Sequence, residues 1–153
     1  MSLIPLSLND RYSGSNASVV YLAVLAVLTL IPGLIHSFLP DGGAVVIAHL
    51  DLGDRAQLVR GVFAWEGATQ LALGAAMAMV AWRCRPLTPF FLLLVLLERG
   101  LMALDGWVLT PPTNGHHPPE HYASVAILPV TLVFLVMSLR ARGGAGGAAA
   151  TLH

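Results

Sequence analysis

The chain has no lysine, a single cysteine and very little charge of either sign. Charged residues fill 10% of its 153 positions, against about a quarter in water-soluble domains. With 56% hydrophobic residues and a mean hydropathy of +0.75, a soluble globular fold is excluded and an integral membrane protein is indicated. The lone cysteine, Cys84, excludes an intramolecular disulfide and any CxxC redox pair. It sits in WRCRP, between two arginines, and reads as an incidental interfacial residue. The eight basic and eight acidic residues cancel without forming a basic cluster, so nucleic-acid binding lacks its electrostatic footprint. GxSxG, HExxH and a phosphate-cradling loop are all missing. Hydrolytic chemistry therefore lacks its usual residues, and a non-enzymatic protein is expected.

What the chain does have is long apolar runs. A spanning helix needs about 20 such residues. Four segments meet that need, at 17–39, 56–82, 87–109 and 122–139. The expected fold class is all-α, a four-helix transmembrane bundle forming one domain over 17–140. A short polar N-terminal segment, 1–16, precedes it, and the Gly/Ala-rich end, 141–153, reads as a disordered tail. Pro32 and Gly33 predict a kink or loosening of the first helix. Between the first two helices, AVVIAHLDL predicts a short interfacial helix or an inward dip. Arg11, Arg83, Arg85, Arg140 and Arg142 fall on one side of this topology, which places both termini in the cytoplasm.

Polar residues inside the runs mark a candidate site, because intramembrane charges are costly and point into the bundle. The second helix carries Arg60, Glu66 and Gln70; the third carries Glu98, Arg99 and Asp105. As antiparallel neighbours, these helices would set Arg60 level with Asp105, and Arg99 level with Glu66 and Glu98; Arg99, offset by about 100° from Glu98, could instead reach the first or fourth helix. These six residues are the expected buried network or ligand pocket. Three acids against two bases leave one carboxyl free to carry a proton or contact a ligand, with Glu66 or Glu98 its holder. The competing explanation is purely structural: paired charges fix helix register and partner choice.

His36, His49, His116, His117 and His121 all fall at the outer face, with Asp41, Asp51 and Glu120 among them. HHPPEH offers nitrogen and oxygen donors on a stiff segment, the ligand types of zinc and copper sites. His36, His117, His121 and Glu120 form the candidate metal set. A haem between His36 and His121 is a remoter option, and a solvated polar loop is the plain alternative.

LIPGLIHSFLPDGG, LVRGVFAWEGATQLALG and LLERGLMALDGW followed by PPEHY resemble small bacterial four-helix integral membrane proteins of unknown function, of the DoxX-like group. The resemblance runs over residues 19–139 and rests on glycines, the membrane arginine and the Pro-Glu pair, not on a catalytic signature. It implies a multi-pass protein of the bacterial inner membrane. It also implies association with thiol or quinone redox complexes, although the cysteine pairs of a thiol role are missing here. The leading expectation is a bundle that binds a small ligand or a partner protein, without a cofactor. A membrane oxidoreductase subunit holding a quinone or lipid near Arg60, His36 and Trp107 is the first alternative. An outward-facing divalent-metal site and proton-coupled transport are the others. The bilayer is the certain partner in every case; Gly- and Ala-rich helix faces also favour a homo-oligomer or a membrane protein partner.

Overall fold

The computed structural model describes residues 6–113 and 115–140. The tail expected at 141–153, with Arg142 and His153, lies outside the described residues. Four long helices make up the fold: α1 Asn16–Phe38, α2 Ala56–Arg83, α3 Thr88–Leu104 and α4 Pro119–Leu139. No strand occurs among the described residues. The expected all-helical class and helix count are both present.

Each helix begins and ends for local reasons. The Ser15 hydroxyl accepts from the Ala17 N–H at 3.2 Å and caps α1. Prolines stand in the first turns of α3 and α4, where their missing N–H costs nothing. For α4 this moves the start to Pro119, three residues before the expected Tyr122. After Leu104 the third helix continues as a π-helical stretch, Asp105–Leu109. α1 runs unbroken through Pro32 to Phe38, so the proline does not end it.

Three segments are long and apolar enough to cross a membrane: Asn16–Phe38, Arg85–Leu109 and Pro119–Leu139. α2, with 28 residues, is the longest helix but is not one of the three. Arg60, Glu66 and Gln70 dilute its first half.

Helix partners differ from expectation. α2 packs along α1, and α3 packs along α4, while α2 and α3 barely touch. The reason is a set of glycines that admit a neighbouring backbone. A Cβ at Gly67 would lie 2.8 Å from the Ser37 backbone nitrogen and 2.9 Å from the Gly33 carbonyl oxygen. A Cβ at Gly74 would lie 2.7 Å from the Leu30 side chain. Both glycines thus face α1, not α3. Gly33 is the reciprocal small residue on α1, 3.1 Å from Leu71 by the same measure, so its role is close packing.

α1 also meets α4 through polar pairs. The Ser18 hydroxyl donates to the Phe134 carbonyl at 2.8 Å, and the Tyr21 and Thr131 hydroxyls share a 2.7 Å hydrogen bond. The Tyr21 ring stacks on Phe134. Leu22, Leu25, Met77, Leu92 and Val95 fill the core between these contacts, with the free thiol of Cys84 buried at its edge.

One end of the bundle is closed by the N-terminal segment. Leu8 N–H donates to the Arg83 carbonyl at 2.8 Å. The Asn9 side chain donates to the Trp82 carbonyl at 2.8 Å and accepts from Arg85 N–H at 3.3 Å. Ser15 N–H donates to the Met137 carbonyl at 3.3 Å. The start of α1, the α2–α3 turn and the end of α4 are therefore tied together, and they gather Arg11, Arg83, Arg85 and Arg140 at this end.

The opposite end holds the 39–55 connection and the proline-rich segment before α4. AVVIAHLDL forms successive turns there, not a regular helix. Asp41 organises them: its carboxylate accepts from Gly43, Val45 and Val46 N–H at 2.9 to 3.0 Å. Gly42 and Gly43 take the left-handed backbone that this sharp reversal needs.

Candidate functional site

At this second end the four helices part around a cavity of about 310 Å³. That is at the small end of ligand pockets, which run from about 300 to 1,000 Å³. Its walls are mostly apolar: Ile35 from α1, Ile47 and Leu50 from the connection, Phe63 from α2, Met102 from α3. Polar groups enter from every helix: His36 from α1, Glu66 from α2, Asp105 from the π-helical stretch, and Glu120 and His121 from α4.

Glu66 is half-buried and its Oε1 accepts from Gln70 Nε2 at 3.0 Å. Gln70 stands one turn behind it, buried, and its own Oε1 has no partner among the described residues. Asp105 is exposed, and its Oδ1 accepts from the Thr110 hydroxyl at 3.0 Å. The same π-helical turn closes with Thr110 N–H donating to the Asp105 carbonyl at 2.8 Å. π-stretches often mark functional positions, and this one carries Asp105 into the cavity wall.

Arg99 lies beneath the cavity and is 7% exposed. Its Nη1 donates to Glu120 Oε1, and its Nε lies 4.0 Å from Glu98 Oε2. Of the two expected partners, Glu98 is within range and Glu66 is not; the main contact is to α4. Arg60 is exposed on α2 with no carboxylate in ion-pairing range among the described residues, so the expected Arg60–Asp105 match does not form. Both differences follow from helix pairing: α3 faces α4, which brings Glu120 rather than α2 acids to Arg99. Of the carboxyl groups Glu66, Glu98, Asp105 and Glu120, only Glu98 and Glu120 lie within ion-pairing range of a guanidinium among the described residues, and both meet Arg99. Glu66 and Asp105 are thus left without an ion pair among the described residues, one carboxyl more than the sequence arithmetic suggested.

The histidines do not converge. His36 Nδ1 lies 2.6 Å from the Gly42 carbonyl oxygen, and its ring stands edge-on to Phe63. A carbonyl only accepts, so Nδ1 carries the proton and Nε2 is left as an acceptor in the neutral ring. His117 and His121 meet each other, Nδ1 to Nδ1, at 2.9 Å. His117 also stacks on Trp107 at 4.0 Å between ring centres, and Trp107 Nε1–H donates to the His121 carbonyl at 3.2 Å. Glu120 is engaged by Arg99. Among the described residues no three of His, Cys, Asp and Glu come together as a metal ion would require.

Gly106 explains the seat of His121. A Cβ there would fall 2.8 to 2.9 Å from three atoms of the imidazole ring. The ring lies flat against backbone that only glycine leaves open.

The sequence named Glu66, Asp105, His36, Glu120 and His121, all of which line the cavity. It missed Phe63, Met102 and the Arg99–Glu120 pair. The available signal for that pair was the proline at position 119. As a first-turn residue it starts α4 early enough to make Glu120 helical and level with Arg99.

Compared with family models, curated proteins and solved structures, the chain matches none.

Proposed function

We propose that this chain is a small multi-pass membrane protein that binds a small amphipathic ligand between its helices, without catalysing a reaction. The observation that carries this reading is the cavity itself: apolar walls, a few polar groups from all four helices, and a buried Arg99 ion pair holding one wall in place. That combination is the general form of a small-molecule site.

In the same reading the protein sits in a bacterial inner membrane with both termini in the cytoplasm. The gathering of Arg11, Arg83, Arg85 and Arg140 at the closed end supports this orientation, since arginines favour the cytoplasmic side. α2 crosses alongside α1, its charges turned toward the bundle end and its glycines against α1. The DoxX-like resemblance is compatible with this arrangement. Its quinone alternative asks for hydrogen-bond donors facing the two carbonyls, and the cavity offers few.

The testing experiment is purification in mild detergent, followed by mass spectrometry of extracted small molecules, metal analysis and an absorption spectrum. A retained organic molecule at near one per chain, lost when Met102→Trp fills the cavity, is the expected result. A folded preparation with a stoichiometric metal, or with a chromophore that survives Met102→Trp, overturns the reading.

A further inference from the structure

Resting on that reading, the hydrogen-bonding inventory of the cavity identifies the chemical class of its ligand. We propose that the ligand is an amphipathic organic cation: a protonated amine on a small apolar or aromatic body, anchored by Glu66 and Asp105.

The lining is rich in acceptors and poor in donors. Glu66 and Asp105 contribute carboxylates, which only accept. Each has one oxygen occupied, by Gln70 and Thr110 respectively, and the second without a hydrogen-bond partner among the described residues. His36 Nδ1 donates to the Gly42 carbonyl and is not available to a ligand. The strongest donor nearby, the Arg99 guanidinium, is directed to Glu120 and Glu98 and is not part of the cavity wall.

These acceptors come from separate helices and border one apolar-walled cavity. A ligand that only accepts, such as a carboxylate or a ketone, would set lone pairs against lone pairs. An ammonium group supplies N–H donors and a compensating charge, and charge-assisted bonds are the stronger kind. A bare metal ion would leave the apolar wall unused and would lack three converging ligands. Phe63 and Met102 suit the apolar body of the ligand.

The test uses three molecules of one shape: phenethylammonium, 2-phenylethanol and phenylacetate. Each is titrated calorimetrically into the full-length protein in lipid nanodiscs at neutral pH, with empty nanodiscs as the blank. The expected result is binding of the ammonium about tenfold or more tighter than the alcohol, and no binding of the acid. Glu66→Gln and Asp105→Asn should each weaken the ammonium by about tenfold while leaving the alcohol nearly unchanged. Asp105 is exposed, so Asp105→Asn preserves the fold, and circular dichroism verifies this for both variants. If the alcohol binds as tightly as the ammonium, or if the folded variants bind the ammonium as wild type does, the cationic ligand is wrong and the cavity reading survives. If none of the three binds, the cavity reading falls with it.

Discussion

At the scale of single residues, three positions hold the cavity end together. Gly106 is the first. Gly106→Ala places a methyl group into the His121 ring and should cost about 1–3 kcal/mol, the usual penalty for overpacking. Thermal unfolding in detergent measures it, and the penalty should shrink when His121→Ala is also present. The second is Glu120. Glu120→Gln removes the charge that Arg99 grips and should destabilise by about 1–3 kcal/mol, because a guanidinium that is 7% exposed loses its main partner. Glu66→Gln, by contrast, should change stability far less, since Glu66 has no ion pair to lose. The third is Asp41, whose carboxyl is held below the usual aspartate range, foremost by the Val46 N–H and then by Gly43. A depressed carboxylate stabilises the fold above its unfolded pKa, and that contribution disappears as pH falls through the lowered folded value. The melting-temperature gap between wild type and Asp41→Ala should therefore be full at neutral pH and close in the acid range below that of a free aspartate.

At the scale of elements, glycine placement decides which helices are partners. Gly67→Ala should push α1 and α2 apart and cost about 1–3 kcal/mol, because the new Cβ meets backbone atoms that cannot rotate away. Gly61 is the internal control. It lies on the same helix with nothing within 4 Å of its would-be Cβ. Gly61→Ala should be neutral or stabilise by about 0.5–1 kcal/mol through helix propensity. Paired unfolding curves of the two variants decide the point. The same glycines show what the sequence could and could not reveal. Three of the four helices were legible because a bilayer-length apolar run has few other uses, and α2 by the apolar run of its later half. Gly67 and Gly74 stand seven apart, a spacing that puts both on one face of a helix. Which helix fills that face was not legible, because a glycine reports the absence of a side chain and says nothing of whose backbone arrives. The expected matches across α2 and α3, Arg60 with Asp105 and Arg99 with Glu66, therefore do not form, while Arg99 with Glu98, within α3, does. The cavity needed Ile47, Phe63 and Met102, which look like any other apolar residues until four helices bring them together.

At the scale of the whole molecule, the two ends do different work. The closed end is held by backbone and amide hydrogen bonds and collects arginine. The open end is held by turns and prolines and collects acids and histidines. Orientation is testable from single cysteines placed near residue 10 and residue 54 in a Cys84→Ser background. A membrane-impermeant thiol reagent applied to intact cells should label the second and spare the first. The closed end also has a history in time. The Asn9 amide and the Trp82 carbonyl it grips are separated by 73 residues. At about 5–20 residues per second the ribosome delivers that carbonyl roughly 4–15 s after the asparagine. Throughout that interval the leading segment lacks the carbonyl it fastens to. The clasp is thus written at residue 9 and closed only after residue 82 has been made, so a nascent chain stalled before Arg83 should remain unlatched, with its leading segment open to proteases that the finished protein resists.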